Sequence, residues 1–354
     1  MQKNLASHIE AADAIAALNS ANNKKVIRWA VVGLGKISNR MSKVIQSVEG
    51  AELVACVSSS KERAIAYSQK HGIKHALTYD ELEAQPELVD AVYICTHMNQ
   101  HAAPAIRYLN KGLAVMVEKT FATSVAEAKS IIDAAIANDT LVMEGLWTRF
   151  LPATLAMLEV LQNDNVGKIL STKGRFEVGI CHGPSSRVFN KAVGGGSVLD
   201  IGIYPATYTH MLLGVPEKIE AKGKLKKGVD LSCQAILTYP CGAKADIGSS
   251  VDFLTLKEFY IIECENATIK MPSFFDSRKV VVKYKDGRKS RTIKERKGIS
   301  FGRRYHPDGF IPEIEHFNQL IRDGKKESPV MTHAVTLEVM EIMEEQLRQI
   351  GYYD

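Results

Sequence analysis

Lys119 and, about 80 residues later, Asp200 and Tyr204 have the types needed to move the hydroxyl proton that accompanies a hydride transfer. Lys119 follows an apolar run at 113–117, and a lysine at the carboxyl end of a buried strand points into the crevice where open α/β sheets bind their ligands. Hydride transfer at a carbinol carbon also requires movement of the hydroxyl proton. A tyrosine, with an ordinary pKa of about 10, moves that proton if a nearby ammonium lowers its pKa. The set therefore indicates acid–base chemistry by Tyr204 with Lys119 as its electrostatic partner.

A run of three glycines, Gly194-Gly195-Gly196, precedes Asp200 and Tyr204. We interpret the glycines as flexible and Ser197 as the N-cap of a helix, in which the four-residue spacing places Asp200 and Tyr204 on one face. Asp200 would then orient the substrate hydroxyl and balance the lysine charge. The alternative for Tyr204 is an amphipathic core residue with its hydroxyl at the surface. The next acid–base candidates on this helix are Tyr208 and His210.

A glycine turn, Gly33-Leu34-Gly35-Lys36-Ile37-Ser38, directly follows a predicted strand and opens a predicted helix. Gly33 permits the tight turn, and Gly35 lets the backbone approach a pyrophosphate. The helix N-terminus offers unpaired N–H groups and the positive end of the dipole. Ser38 replaces the third glycine of the usual pattern but is still small enough for close helix packing. The turn therefore predicts a dinucleotide site.

The end of the second predicted strand selects between NAD and NADP. An NAD site usually presents a carboxylate there for the ribose 2′-hydroxyl, whereas this chain reads Val57-Ser58-Ser59-Ser60-Lys61-Glu62. Three hydroxyls and the Lys61 ammonium suit a 2′-phosphate, which favours NADP and leaves NAD possible. The alternative is an ordinary helix N-cap at Ser60, and both interpretations are compatible.

The elements that must position these residues form two patterns. From residue 25, continuous apolar strands alternate with helices, which predicts a parallel sheet covered on both faces. The strands are predicted at 26–32, 53–57, 91–95, 113–117 and 141–144. The helices between them are predicted at 36–48, 61–71, 101–110 and 124–138. We assign residues 25–147 to a Rossmann dinucleotide-binding domain of doubly wound α/β class.

The pattern changes near Trp147. After a predicted helix at 152–163, residues from 229 to 239 alternate, with Val229 and Leu231 on the buried face and Asp230 and Ser232 on the other. Further strands are predicted at 243–249, 259–264 and 279–284, and closing helices at 309–323 and 333–350. We therefore assign residues 148–354 to a C-terminal α+β domain with a large open, mostly antiparallel sheet. Residues 1–24 are predicted to form a helical extension.

The composition of the 354 residues narrows the class of protein. The hydrophobic fraction of 45% and the charged fraction of 24% are typical of a globular protein. A net charge of +5 is too small to indicate a nucleic-acid partner, and no apolar run predicts a membrane span. The six cysteines have no metal-ligand spacing and are interpreted as reduced core thiols, so a cytoplasmic location is expected.

Together these motifs resemble the glucose–fructose oxidoreductase/inositol dehydrogenase/MocA (Gfo/Idh/MocA) family. The resemblance covers residues 25 to about 350, and within the family the trans-1,2-dihydrodiol dehydrogenase/D-xylose 1-dehydrogenase branch is most similar. The segments that carry it are 33–38, Thr96-His97-Met98-Asn99-Gln100-His101, 110–112, Glu118-Lys119, Met143-Glu144-Gly145-Leu146-Trp147-Thr148-Arg149-Phe150 and Gly194-Gly195-Gly196 through Asp200-Ile201-Gly202-Ile203-Tyr204.

The resemblance implies an NAD(P)-dependent oxidoreductase without a metal, acting on a cyclic polyol, sugar or dihydrodiol. It assigns Lys119, Asp200 and Tyr204 to catalysis. It also implies a homodimer or homotetramer formed through the C-terminal sheet. The further positions that it assigns to the cofactor are Thr96, His97, Asn99, His101, Glu118, Trp147 and Arg149. For His101, an ordinary polar residue in the first turn of a helix is the alternative.

Two positions depart from the family pattern. An arginine is usual near Ser59, so Lys61 is expected to replace it. The usual Glu-Lys-Pro is here Glu118-Lys119-Thr120, which leaves open whether the Lys119–Thr120 peptide bond is cis or trans. Because of this change, a catalytically silent NADP-binding regulator is the alternative function.

Overall fold

The computed structural model describes residues 25–179, 183, 185–252, 256–296, 299–300, 303–304 and 308–354. The predicted N-terminal helix at 1–24 therefore lies outside the described residues. The described chain divides into two compact units. The first contains residues 25–147 and 310–337, and the second contains residues 148–309 and 338–354. The segment 310–337, which we predicted within the C-terminal domain, groups with the dinucleotide-binding unit.

In the first unit, the described residues form a six-stranded parallel sheet in the order β3-β2-β1-β4-β5-β6, the strand order of a Rossmann fold. The strands are β1 (Ile27–Val32), β2 (Ala51–Val57), β3 (His75–Leu77), β4 (Ala91–Ile94), β5 (Ala114–Glu118) and β6 (Val142–Gly145). The helices are α1 (Lys36–Ser47), α2 (Lys61–His71), α3 (Tyr79–Ala84), α4 (Ala102–Leu109) and α5 (Val125–Ala137). The predicted α/β class is confirmed.

The first unit is completed by helix α8 (Ile311–Arg322), after the chain has built most of the second unit. Trp29 on β1 is fully buried and donates its indole N–H to the Asn318 side-chain oxygen at 2.9 Å. Its ring lies 5.3 Å from that of Phe317, centroid to centroid. The central strand of the sheet thus depends on a helix almost 300 residues later in the sequence.

In the second unit, the described strands form one ten-stranded sheet in the order β16-β15-β14-β13-β12-β11-β7-β10-β9-β8. Its strands are β7 (Ile169–Val178), β8 (Lys218–Lys226), β9 (Val229–Thr238), β10 (Lys244–Ser250), β11 (Leu256–Cys264), β12 (Ala267–Pro272), β13 (Lys279–Tyr284), β14 (Arg291–Arg296), β15 (Ile299–Ser300) and β16 (Arg303–Arg304). Only the pairing of β7 with β10 is parallel among these described strands, so the predicted, mostly antiparallel sheet is confirmed.

The two faces of this sheet differ in burial. One row across the sheet joins Ala235, Ile247, Gly174 and Tyr260, all of which are buried. The neighbouring row on the opposite face joins Ile236, Asp246, Lys173 and Ile261, all half-buried or exposed. The predicted one-sided alternation therefore holds in the centre of the sheet.

Asp230 breaks this alternation, and its predicted position on the solvent face is wrong. The side chain is fully buried, as are those of its neighbours Val229 and Leu231. The pairing of β8 with β9 shifts here, because Lys224 faces Ser232 whereas Leu225 faces Asp230, which leaves Leu231 as an extra residue. A β-bulge of this kind turns the following side chains to the other face.

The helices of the second unit are α6 (Pro152–Asn163) and α7 (Ile203–Leu213), and the last helix of the chain is α9 (His333–Gln349). Within the described part of the chain, no helix has the length and apolar character needed to cross a membrane. Cys56, Cys95, Cys233 and Cys264 are buried free thiols, and Cys241 is a free thiol at the surface. Cys181 lies outside the described residues.

Candidate functional site

The glycine turn has the geometry that a dinucleotide requires. Gly33 has φ +89°, and a Cβ there would lie 2.7 Å from the Thr96 backbone nitrogen. By contrast, a Cβ on Gly35 would meet nothing within 4 Å, so the backbone is open at this point. No side chain caps the N-terminus of α1, whose first residues Lys36 and Ile37 follow directly. The open glycine and the uncapped amides fit a pyrophosphate.

Ser38 fills the third position of the motif and is fully buried. Its hydroxyl donates to the Gly35 carbonyl oxygen at 2.7 Å, and the Asn39 amide donates to the same oxygen at 2.7 Å. The serine therefore gives the turn a second side-chain hydrogen bond, beside that from Asn39, which a third glycine would not provide.

At the end of β2, the partner of the Lys61 ammonium differs from the sequence prediction. The Lys61 ammonium donates to both carboxylate oxygens of Glu81, at 2.8 and 2.6 Å, and to the Ala76 carbonyl at 2.8 Å. Glu81 is held in place by a capping box with Thr78 at the start of α3. Lys61 is thus paired within the protein, contrary to the expected free ammonium for a 2′-phosphate.

The serines at this tip have distinct roles. Ser60 is the N-cap of α2, since its hydroxyl accepts from the Arg63 backbone N–H at 3.2 Å, which confirms the alternative interpretation of that residue. Ser58 is buried and accepts from the Ser60 backbone N–H, whereas Ser59 is exposed. Sequence reasoning missed Arg63, an exposed cation in the first turn of α2. The signal was its place in the first helical turn after β2.

Lys119 directly follows β5, is half-buried, and precedes a buried Thr120. The Lys119–Thr120 peptide bond is cis. Glu118 accepts a short hydrogen bond from the Tyr93 hydroxyl, and the Glu144 carboxylate accepts from the Phe121 backbone N–H at 3.0 Å. Both residues that flank Lys119–Thr120 are therefore hydrogen-bonded to buried side chains of the same sheet.

His101 fixes this turn from the other side. Its Nδ1 lies 3.1 Å from the Thr120 carbonyl oxygen and 3.3 Å from that of Phe121, and its Nε2 lies 3.3 Å from the Thr96 carbonyl oxygen. Burial, together with a smaller contribution from the Lys119 ammonium, lowers the pKa of His101 to about 4. A neutral ring carries one N–H, and we assign it to Nδ1, which has the shortest contact. His101 therefore donates to the turn that carries Lys119, and its unprotonated Nε2 lies beside the loop next to Gly33 without a hydrogen bond to it.

The remaining positions assigned to the cofactor divide by exposure. Thr96 is half-buried, and His97 and Asn99 are exposed in the loop after β4, close to the glycine turn. Trp147 is buried and stacks on Phe310 with ring centroids 4.7 Å apart. Cofactor contact by each of these residues stays a prediction.

In the second unit, Asp200 lies in a π-helical turn, Val198–Gly202, that leads directly into α7. Its carboxylate is almost completely buried and accepts from the Arg187 guanidinium at 2.8 Å. Ser197 makes no capping hydrogen bond, so its predicted role as N-cap is wrong. Its hydroxyl instead donates to Asp230 at 2.9 Å. π-Helical turns are rare and occur frequently at functional sites.

Tyr204 lies at the start of α7 with an exposed fraction of 2%. Its ring centroid is 4.8 Å from that of Phe275 in an edge-on arrangement and 5.6 Å from that of Phe176. Phe275 is half-buried. Asp200 and Tyr204 therefore lie four residues apart on one short helical segment, with aromatic rings beside Tyr204 and an arginine beside Asp200.

The other candidates on α7 are hydrogen-bonded inside the second unit. The Tyr208 hydroxyl lies 2.6 Å from that of Thr154, and burial raises the Tyr208 pKa. His210 Nε2 lies 2.6 Å from a Glu338 carboxylate oxygen, and burial lowers the His210 pKa. Arg149 is buried and donates to the Thr207 hydroxyl at 2.7 Å. Its cofactor contact stays a prediction, whereas its contact with α7 is direct.

A nucleotide-binding Rossmann unit joined to a broad antiparallel sheet defines a class of two-domain oxidoreductases. Residues 27–146 match the family described as "Oxidoreductase family, NAD-binding Rossmann fold", and residues 154–270 match the "GFO/IDH/MocA C-terminal domain". The chain belongs to the Gfo/Idh/MocA family, as its motifs predicted.

Two curated relatives are similar over almost the whole chain. Trans-1,2-dihydrobenzene-1,2-diol dehydrogenase from Mus musculus is 30% identical over 334 residues, which cover 92% of this chain and 97% of the relative. The scyllo-inositol 2-dehydrogenase (NADP(+)) IolU from Bacillus subtilis is 30% identical over 338 residues, which cover 92% of this chain and 98% of the relative.

Solved structures share the fold. Levoglucosan dehydrogenase in complex with NADH and levoglucosan gives a TM-score of 0.82 at 18% identity, covering 93% of this chain and 98% of that one. The 3-ketoreductase KijD10 from Actinomadura kijaniata, in complex with NADP and TDP-benzene, gives a TM-score of 0.80 at 22% identity, covering 92% and 98%.

Proposed function

We propose that this oxidoreductase is a dehydrogenase or reductase that acts on a CH–OH group of a cyclic polyol, sugar or dihydrodiol. The observation that carries the proposal is the pairing of Asp200 and Tyr204 on one short helical segment of the second unit, beside Phe275 and Arg187. Relatives with dihydrodiol and inositol substrates in their names support the substrate class. The aromatic wall beside Tyr204 suits the apolar face of a substrate ring.

In this proposal each residue has one role. Tyr204 takes the proton from the substrate hydroxyl during oxidation and returns it during reduction, and Lys119 stabilises the phenolate by its charge. Asp200 accepts a hydrogen bond from the substrate hydroxyl and holds it for the proton transfer. Arg187 balances the buried Asp200 charge, whereas the sequence analysis paired the charge of Asp200 with that of Lys119. A bound nicotinamide supplies or accepts the hydride.

We further propose a preference for NADP. The cofactor would be held by the glycine turn, by Ser58 and Ser59, and by the positions predicted in the loop after β4. Because Lys61 is paired with Glu81, Arg63 is the better cation for a 2′-phosphate. The name of the inositol dehydrogenase relative, which includes NADP(+), supports this preference, and use of NAD is tested in the same assay.

The test measures turnover. The purified protein is incubated with NADP⁺ or NAD⁺ and a panel of pentoses, hexoses, inositols and dihydrodiols, while the absorbance of the reduced nicotinamide is followed. Tyr204→Phe is expected to lower kcat by about 100- to 10,000-fold. Tyr208→Phe, which changes a buried tyrosine of the same helix, is the control and should retain most of the rate. Tight NADP binding without turnover of any compound would instead favour the silent regulator.

We also propose that two copies associate through the less buried face of the ten-stranded sheet. The half-buried Ile236 and Ile261 lie in one row with Lys173 and Asp246 on this face, and Arg175 pairs with Asp246 at 2.5 Å. An open sheet face with apolar and paired charged residues is a natural self-complementary surface. Light scattering should give a dimer or tetramer, and Ile261→Arg should shift the mass towards the monomer.

A further inference from the structure

A buried carboxylate that the proposed mechanism does not use lies behind the segment that carries Asp200 and Tyr204. Asp230 accepts from the Val198 backbone N–H at 2.7 Å and from the Ser197 hydroxyl at 2.9 Å. Ser249 donates its hydroxyl to Ser197 at 3.1 Å. Asp230 therefore acts as the cap that Ser197 does not provide, since it accepts a backbone N–H at the beginning of the π-helical turn.

The second oxygen of Asp230 lies against the glycine run. Oδ1 is buried and has no hydrogen-bond partner within the described residues. A Cβ on Gly196, where φ is +131°, would lie 1.9 Å from Oδ1. A Cβ on Gly195 would lie 2.6 Å from the carbonyl oxygens of both Arg187 and Asn190. The glycines are thus packed closely, which corrects our interpretation of them as flexible.

Asp230 reaches this position through the bulge at Leu231. Without the extra residue, the side chain would lie on the solvent face of β9, as the sequence pattern predicted. A bulge has a cost in ladder hydrogen bonds and a buried carboxylate has a cost in hydration. Two unfavourable local features therefore combine to place one carboxylate at the beginning of the helical segment.

We propose that Asp230 is a positioning residue for the reaction: it holds the π-helical turn in the one conformation that presents Asp200 and Tyr204 to the substrate. This inference rests on the proposed function, because it assigns Asp230 to the placement of those two residues. Its contact is with the backbone of Val198 and with Ser197, so it acts through the protein and does not touch the substrate.

The charge of Asp230 makes this role dependent on pH. Burial raises the pKa of Asp230 to about 6, so the carboxylate accepts a proton in mildly acidic solution and its hydrogen bonds to Ser197 and Val198 weaken. The groups that face it are the Ser197 hydroxyl, the Cys233 thiol, and the Tyr352 and Tyr353 phenols, with the Lys191 ammonium over the Tyr352 ring at 4.3 Å. The thiol and the two phenols have pKa values raised to about 12 and stay neutral between pH 5 and 7.

The first experiment measures backbone hydrogen exchange and does not require turnover. In Asp230→Asn, exchange in the peptide 196–204 at pH 7.5 should rise about tenfold or more, corrected for intrinsic rates, whereas the peptide 256–272 of β11 and β12 should not change. In the wild type, protection of 196–204 should fall as the pH is lowered through about 6, because local opening removes the Ser197 and Val198 donors from a carboxylate that stays buried. Unchanged exchange in 196–204, or an equal rise in both peptides, would overturn the proposal.

The second experiment measures the reaction. Asp230→Asn should lower kcat about tenfold or more, leave the KM for the nicotinamide cofactor unchanged, and remove the acidic limb near pH 6 from the profile of kcat/KM. Ser197→Ala should produce a smaller loss of the same kind. Ser250→Ala is the matched control, because its buried hydroxyl donates to the Leu231 carbonyl, one residue from Asp230, and not to the π-helical turn.

The two experiments separate the proposals. If the wild type turns over no compound of the panel, the proposed function fails, and the exchange measurement still decides whether Asp230 holds the segment. If the wild type turns over a substrate but Asp230→Asn retains the wild-type kcat and acidic limb, the positioning role is wrong.

Discussion

Two buried titratable side chains, one in each unit, hold the backbone next to the proposed catalytic residues, and burial displaces their pKa values in opposite directions. His101 is held neutral with a pKa of about 4 and contacts the carbonyl oxygens after Lys119. Asp230 has a pKa of about 6 and accepts from the backbone N–H of Val198, two residues before Asp200. A neutral donor fixes acceptor groups in the first unit, and a carboxylate fixes donor groups in the second.

This difference gives the two halves opposite responses to acid. As the pH falls from about 6.5 to about 4, His101 becomes protonated in the unfolded chain but stays neutral in the native state. The free energy of unfolding therefore decreases. Asp230 behaves in the opposite way: between about pH 4 and 6 the native state binds the proton more readily, so its contribution to stability decreases as the pH rises. Mild acid therefore protonates Asp230 first, while His101 is still neutral.

Among the tests of this difference, the largest effect is expected for Gly196→Ala, which tests the second half alone. The methyl group would overlap Asp230 Oδ1 at a backbone conformation that L residues rarely adopt. We expect kcat to fall about 100-fold and the free energy of unfolding to fall by about 3 kcal/mol. Gly242→Ala, at φ +82° with nothing within 4 Å, is the control for the conformational cost. Equal losses in the two variants would show that close packing against Asp230 is not important.

A smaller effect is expected for His101 and tests the first half. His101→Gln removes the donor towards the Thr120 carbonyl, whereas His101→Asn keeps an N–H near the Nδ1 position. We expect kcat to fall about tenfold in the glutamine variant and less in the asparagine variant. In the wild type, the free energy of unfolding should decrease by up to about 3 kcal/mol between pH 6.5 and 4 because of His101. Denaturant titration should show that this decrease is absent from both variants. An unchanged pH slope would contradict a neutral native His101.

The smallest effects concern the cofactor alone. Arg63→Ala should weaken NADP binding about tenfold and leave NAD binding unchanged, as measured by nicotinamide fluorescence. Lys61→Ala should change NADP binding by less than about threefold, because its ammonium is already paired with Glu81. Neither variant should alter exchange in the peptide 196–204. The reverse order of the two effects would restore Lys61 as the phosphate ligand.

The sequence predicted the first unit closely, because continuous apolar runs separated by amphipathic helices leave few alternatives. The predicted helix 61–71 agrees with α2 at both ends, and the predicted strands agree with β1, β2, β4, β5 and β6 within two residues. The short β3 and α3 were missed, since three residues of strand carry no usable periodicity. As a consequence, Glu81 on α3 was not considered, and Lys61 was interpreted without its partner.

The second unit was predicted less completely for two physical reasons. Strand β7 lies between β11 and β10, yet Lys173, Gly174 and Arg175 interrupt its apolar pattern, so the alternation is weak. Asp230 was placed on the wrong face because a bulge is set by pairing with β8 and has no local signature. The residue type of Asp230 was the available signal, since aspartate is depleted in strands.

The hydrogen bond from Trp29 to Asn318 has a consequence for synthesis of the chain on the ribosome. Residues 27–146 contain every strand of the first sheet, but helix α8 emerges only after the intervening segment of about 160 residues, roughly ten to thirty seconds later at ordinary elongation rates. During that interval the apolar surface around Trp29 lacks its covering helix. A nascent chain stopped before residue 310 should therefore bind chaperones more strongly than one extended past residue 337.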